Sequence, residues 1–428
     1  MISKRIEILS PAGDSERLHF AILYGADAVY VGTSQFSMRA APPNFDRETL
    51  KKDVIFAHKN GVKVYLTCNT LPRSDEIESF TEYLHFADEI GIDALIISDL
   101  GLLSMARKEL PKMEIHMSTQ TGIVNYQTAN ALYDMGVKRV VLARELSLEE
   151  IKVIRAKTPP DLELECFVHG SMCVSFSGRC LLSEYLTGRD ANRGLCAQAC
   201  RWKYKLHDES FTLEEETRPG VHFPIEEDNN GTYILNASDL NMIEYLDELA
   251  EAGVTSFKIE GRAKSVYYVS IVTNAYKSGI NLLETSNYFR KSKEIQVLKE
   301  ELDKVSHRPY GNGFFIGTPK QHFTDSGYIR DYDIAAVVIK NENGRIYCEQ
   351  RNKILPETDI EIVIPYTKNY TDSIFISTHI GKIYDSNDSV TDDTRHAKML
   401  FSFDYEGMDI PEGSIIRVKE LKKNIQTV

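Results

Sequence analysis

Apolar residues recur along roughly the first 170 positions in two alternating registers. Short runs such as Arg5-Ile6-Glu7-Ile8-Leu9-Ser10 and Ala26-Asp27-Ala28-Val29-Tyr30-Val31-Gly32 have the aliphatic content of buried strands. Similar runs fall near 62–67, 93–98, 113–118, 138–143 and 162–168. Between them the apolar positions take helical spacing. A first helix runs from the candidate cap Asp14 to about Leu23, and others lie near 47–59, 75–90, 99–109, 123–135 and 147–156. Several stop at a glycine just before the next strand, as in Tyr24-Gly25-Ala26 and Met135-Gly136-Val137. Strands alternating with helices of this length predict right-handed βαβ units and a parallel sheet.

An eighth strand and helix follow much later, at Thr255-Ser256-Phe257-Lys258-Ile259-Glu260 and about 263–279. Seven units plus one suggest a (β/α)8 TIM-barrel-like domain with a Cys-rich insertion over 170–250. The alternative is an open, doubly wound sheet, but no Gly-rich dinucleotide turn follows the first strand. Tyr233-Ile234-Leu235-Asn236 is a ninth candidate strand, which strains the count. The acidic stretch 207–230 reads as loop. Beyond about 327 the pattern changes to short β runs at 334–339, 345–348, 360–364, 373–377 and 415–418. The expected organisation is a barrel domain over 1–280, a connecting segment over 281–326 and a small C-terminal β-barrel domain over 327–428.

Composition narrows the class. The chain has 428 residues, 42 % of them hydrophobic, enough for a large core and too apolar for disorder. No apolar run is long enough to span a bilayer, and the start lacks a signal-peptide core, so a cytoplasmic protein is expected. The net charge of −13 argues against nucleic acid as a partner. Residues 171–206 oppose that average: six basic residues against two acidic ones give a local +4.

The same stretch holds four of the seven cysteines, spaced Cys173-x6-Cys180-x15-Cys196-x3-Cys200. Four thiolates can hold zinc or an iron–sulfur cluster, and the uneven spacing favours the cluster. The bland alternative is four buried free cysteines. Arg189, Arg193, Arg201 and Lys203, with Trp202 and Tyr204 among them, suit an RNA backbone and unpaired bases, or simply a solvated basic face. Polar residues also gather where the strands end, the functional face of such barrels: Ser98, Ser118, Arg144 with Glu145, His169, and Lys258, Glu260 and Arg262. They could line one pocket. Equally, loops are polar anyway and Arg144 could pair with Glu145. His169 is a candidate base, with Cys173 a candidate nucleophile.

Longer stretches resemble a known family. Glu165-Cys166-Phe167-Val168-His169-Gly170-Ser171-Met172-Cys173 followed by Gly178-Arg179-Cys180 resembles the signature of the U32 peptidase family, the collagenase-like proteases. Phe36-Ser37-Met38-Arg39-Ala40, Leu142-Ala143-Arg144-Glu145 and Ser256-Phe257-Lys258-Ile259-Glu260-Gly261-Arg262 agree with it. The resemblance implies two competing activities. One is peptide-bond hydrolysis, with no settled catalytic residues. The other is oxygen-independent hydroxylation of RNA, in the nearest group at carbon 5 of the tRNA wobble uridine, with prephenate or a similar small molecule as the hydroxyl source. It also implies a 4Fe-4S cluster on Cys173, Cys180 and Cys196. Many relatives place a further Cys where Asn241 stands here, which leaves Cys200 as the substitute fourth ligand; otherwise the site holds zinc or nothing. Members sometimes work in pairs, so a related chain is a candidate partner, and a non-catalytic subunit is a third reading.

Overall fold

In a computed structural model, the described residues are 5–38, 44–172, 238–285, 292–317, 328–366 and 374–419, with scattered positions between 183 and 233. Seven strands alternate with helices in the first part: β1 (Glu7–Pro11), β2 (Ala28–Val31), β3 (Lys63–Cys68), β4 (Ala94–Ile97), β5 (Glu114–Met117), β6 (Arg139–Val141) and β7 (Glu163–Ser171). The helices between them are α1 (Ser15–Leu23), α2 (Arg47–Lys59), α3 (Phe80–Glu89), α4 (Leu100–Glu109), α5 (Tyr126–Asp134) and α6 (Leu148–Ala156). Short polar side chains start most of them. Asp14, Asp46, Asp99 and Asn125 accept a hydrogen bond from an otherwise orphaned amide, and Ser147 forms a reciprocal capping box with Glu150.

Near the end of the insertion lie β8 (Asp239–Asn241) and α7 (Leu246–Glu251), followed by β9 (Ser256–Ile259), the long helix α8 (Val266–Thr285), α9 (Lys293–Asp303) and β10 (Tyr310–Gly311). The seven early strands and β9 pair in parallel in sequence order, and β9 pairs with both β1 and β7. The ring is therefore closed, which decides for the barrel over the open sheet. Of the ninth candidate strand, Tyr233 ends a short hairpin opposite Glu226, and 234–236 lie outside the described residues. An unanticipated strand, β8, pairs antiparallel with the outer end of β7, Asp239 opposite Ser171 and Asn241 opposite His169, and carries β10 on its far side. The acidic stretch read as loop contains two short hairpins, Thr212–Glu214 with His222–Pro224 and Glu226–Asp228 with Gly231–Tyr233.

The C-terminal strands are β11 (Tyr332–Glu342), β12 (Arg345–Gln350), β13 (Thr358–Val363), β14 (Phe375–Ile380), β15 (Ile383–Asp385), β16 (Leu400–Asp404) and β17 (Ile415–Lys419). With the two-residue edge strand Val390–Thr391 paired beyond β15, they form one antiparallel sheet, ordered β14-β13-β17-β11-β12-β16-β15, around a core of residues such as Ile346, Ile362, Phe403 and Ile416. Its outer strands are not paired with each other among the described residues, so this is a half-barrel rather than a closed one. It docks on the first domain through fully buried Arg417, which bonds Glu301 of α9 and Glu361 of β13.

Inside the ring, alternate side chains point to the axis. Leu9, Ala28, Tyr30, Tyr65, Ala94 and Ile96 pack there. Below them, toward the N-terminal ends of the strands, lies a charged layer. Arg139 reaches Glu7 at 2.6 Å, Glu163 at 2.7 Å and Glu165 at 3.2 Å. Ser256 and Tyr65 add hydroxyl bonds to Glu7.

Candidate active site at the C-terminal mouth of the barrel

The strand ends converge as the sequence pattern requires, but they divide the expected site residues into three groups. Arg262 and Arg144 are at the mouth. Arg262 is 3 % exposed and follows β9. Its Nη1 donates to the hydroxyls of Ser37 and, at 3.0 Å, Thr67. Thr67 in turn donates to the Val31 carbonyl and lies 2.9 Å from the Ser37 hydroxyl. Ser37 arrives there because Phe36 takes a left-handed backbone, φ 55°, held by packing on Phe80 and Tyr83. Gly32 makes the room: a Cβ there would collide with the Arg262 guanidinium.

Arg144 lies with its guanidinium 3.8 Å from the centre of the Phe167 ring and donates to the Ser171 carbonyl at 2.7 Å. Among the described residues its carboxylate partner is Glu260, at 3.7 Å, not its sequence neighbour Glu145. Glu260 sits against Gly170, whose φ of 109° and close approach to the Glu260 carbonyl leave no place for a side chain. The Arg144 Nε and the Ser98 Oγ are buried without a hydrogen-bond partner among the described residues. Such groups at a barrel mouth are what a polar ligand satisfies.

Lys258 points elsewhere. It is buried, donates to Glu165 at 2.8 Å, and lies 4.9 Å from the Tyr30 ring. Burial alone would raise the Glu165 carboxyl, but Lys258 and Arg139 outweigh it and hold it below the usual carboxylate range. Lys258 thus belongs to the charged layer inside the barrel, not to the pocket wall.

His169 also leaves the pocket. It lies on the outer face of β7, walled by Tyr268, Tyr276 and Tyr310 with ring centres 5.8, 5.5 and 5.3 Å away. Both ring nitrogens meet phenols, Nδ1 the Tyr276 hydroxyl at 3.3 Å and Nε2 the Tyr310 hydroxyl at 3.4 Å. Burial, with His307 and Lys264 adding to it, pushes its pKa down to about 3. It packs at the end of β7 with both nitrogens turned to tyrosine hydroxyls. Neither this tyrosine cage nor the Ser37–Thr67 clamp on Arg262 stands out in the sequence. The only signal was Phe36-Ser37-Met38 within the family motif.

Of the insertion, Cys196 and Arg189 are described, and both are exposed. Ser183 ties their stretches together: its hydroxyl donates to the Arg189 carbonyl at 2.8 Å and accepts from the Ala197 amide at 2.9 Å. Cys173, Cys180, Cys200, Arg193, Arg201 and Lys203 lie outside the described residues. Asn241 is spent structurally, its carboxamide oxygen accepting from the Ile243 amide at 3.1 Å and the Tyr276 hydroxyl at 3.3 Å. Cys68, Cys166 and Cys348 are buried, and burial pushes each thiol well above its ordinary value. No helix among the described residues is long and apolar enough to cross a membrane.

Comparison with known proteins matches both the barrel and the half-barrel to one family. The profile of Peptidase family U32 matches residues 13–325, and that of the Peptidase family U32 C-terminal domain matches residues 330–417. The chain is 37 % identical to the tRNA hydroxylation protein P of Escherichia coli K12, over 78 % of this chain and 83 % of that protein. It is 33 % identical to tRNA hydroxylation protein P1 of Bacillus subtilis, over 94 % and 92 % of the two chains. A protein of Porphyromonas gingivalis named collagenase is 34 % identical over 73 % of each. With both profiles matched in order and relatives aligned over most of their length, this chain belongs to peptidase family U32.

Proposed function

We propose that the protein hydroxylates RNA without molecular oxygen, at carbon 5 of the tRNA wobble uridine, with prephenate or a similar small acid as the hydroxyl source. The observation that carries this reading is the mouth itself. Two guanidinium groups, a buried serine hydroxyl without a hydrogen-bond partner among the described residues and the Phe167 ring under Arg144 give the mouth the groups that a polar, anionic or base-like ligand would need. The relatives named for tRNA hydroxylation align over most of this chain, and that name points the same pocket at RNA. A flipped base needs such a pocket and cationic rim contacts for its phosphates. Arg189, Arg193, Arg201 and Lys203 are proposed to supply further phosphate contacts.

Hydrolysis of peptides is less well supported. It needs an activated nucleophile and an oxyanion site. His169, the candidate base, has both nitrogens against tyrosine hydroxyls.

A resident iron–sulfur cluster fits the donor set. Three cysteines are locked in the cores as thiols, so thiolate chemistry is left to the four of the insertion, where Cys196 is exposed. Cys173, Cys180, Cys196 and Cys200 would hold the cluster, which would supply redox or Lewis-acid chemistry. The chain's own part is separate from it. Arg262, held rigid by Ser37 and Thr67, orients an anionic group. Arg144 presents Nε to a second acceptor, and Phe167 gives a flat surface for a ring. The test is iron and acid-labile sulfide on protein purified without oxygen, together with wobble hydroxylation in cells. A Cys173→Ser/Cys180→Ser double variant should lose the brown chromophore and the modification together. Normal hydroxylation in that variant would contradict the role of the insertion.

A further inference from the structure

The loop over 260–264 carries two cations in opposite directions. Arg262 turns into the mouth, onto Ser37 and Thr67. Two residues on, Lys264 reaches the outside of the rim. Its ammonium lies 4.3 Å from the centre of the Tyr328 ring and 5.1 Å from that of Tyr268. The Arg308 guanidinium lies 5.1 Å from the same Tyr328 ring. Tyr328 nevertheless stays 43 % exposed.

This arrangement is held in place. The Lys264 amide donates to the Gly261 carbonyl at 2.8 Å, and its own carbonyl accepts from Arg17 Nε at 2.6 Å. One ammonium proton is directed to the Ser306 carbonyl at 3.3 Å, and an ammonium has three to give. The backbone of 307–308 is fixed by Ile329, which exchanges both amide bonds with His307, and by Asp239, which accepts from the Arg308 amide. A cation beside a partly exposed aromatic ring is the pairing that single-stranded nucleic acid uses: phosphate on the cation, base on the ring. Here it stands on a chain of net charge −13, within two residues of an arginine that faces the pocket.

We infer that Lys264 and Tyr328 form a docking step for the nucleotide next to the modified base. The ammonium takes the flanking phosphate and the phenol ring stacks on the flanking base, while the target base enters past Arg262. Arg308, itself buried, lies over the same ring. The inference rests on the RNA reading above but uses none of the cysteines or basic residues of the insertion.

The test is fluorescence anisotropy of full-length protein with a fluorescein-labelled, unmodified tRNA anticodon stem–loop, measured over a series of salt concentrations. Tyr328→Leu should weaken binding by about tenfold, and Tyr328→Phe should bind like wild type, because the ring is what matters. Lys264→Ala should weaken binding and lower the slope of log affinity against log salt by about 0.7, the loss of one single-strand phosphate contact. Lys264→Arg should keep the slope. Circular dichroism confirms that each variant is folded. If wild type binds and both Lys264→Ala and Tyr328→Leu bind equally well with an unchanged slope, this docking step is refuted and the RNA reading stands. If wild type does not bind the stem–loop at any salt concentration, both fall.

Discussion

Lys258 is the sharpest point at which position at a strand end and role in the barrel diverge, and its removal separates the two. Among the described residues its ammonium has one carboxylate partner, Glu165, which is 0 % exposed. Glu165→Leu leaves that ammonium buried with only ring faces around it. Removing one partner of a buried pair costs about 3–5 kcal/mol, because the survivor keeps its desolvation penalty without compensation. Lys258→Met is milder, since Glu165 retains Arg139 at 3.2 Å. The Lys258→Met/Glu165→Leu double variant replaces the pair by apolar volume and should recover much of the loss. The coupling between the two sites is then about 2–3 kcal/mol. Urea unfolding followed by far-UV circular dichroism measures all four proteins. The pH dependence carries a second signature. The Glu165 carboxyl is depressed in the folded state, so its stabilisation is complete above the unfolded value of about 4.3 and is lost as pH falls toward the folded one. Wild type should therefore lose stability on acidification below about pH 4.3 more steeply than the double variant. Additive single effects, or a stable Lys258→Met protein that has lost only activity, would refute the structural assignment and return Lys258 to the pocket.

Other consequences follow from the same geometry. Gly32→Ala should displace the Arg262 guanidinium while costing about 1–3 kcal/mol of stability, so that hydroxylation in cells falls much further than melting temperature accounts for. Arg262→Lys should fold normally and lose activity, since one ammonium does not reproduce a guanidinium held on two hydroxyls. His169, held neutral by burial with a pKa near 3, takes up no proton on folding that it would bind when unfolded near 6.5. Its contribution to stability is therefore present above about pH 6.5 and declines by about 1.4 kcal/mol per unit as pH falls toward 3, and His169→Phe should flatten that decline without shifting the pH profile of activity.

The barrel was legible because its strands and helices repeat a local pattern that neither depends on nor conflicts with long-range contacts. Asp14, Asp99 and Ser147 cap helices where the sequence placed their starts. β8 was not legible because Asp239-Leu240-Asn241 holds one apolar residue and is made a strand only by its antiparallel pairing with the outer end of β7. Half-barrel and closed barrel likewise share one strand pattern and differ only in whether the outer strands meet. The site was legible as a set but not residue by residue. Strand ends locate the mouth, yet a local irregularity decides whether a side chain faces the axis or the helices. Phe167 and His169, two residues apart, would share a face in a regular strand. The pairing of β7 with β9 shifts register between them, so that Phe167 and Lys258 face inward while His169 faces the tyrosines of α8 and β10. Whether an inward lysine rises to the mouth or drops to a carboxylate depends on Glu165 and Arg139, partners from β7 and β6.

The central claim, RNA hydroxylation through this barrel mouth, is tested most directly by mass spectrometry of tRNA nucleosides. The cells should lack this gene and any other U32 chain, and be complemented with wild type or with Arg262→Lys. 5-Hydroxyuridine and its derivatives should disappear from the wobble position, return with wild type and not return with Arg262→Lys. Unchanged 5-hydroxyuridine in the cells lacking the gene would contradict it.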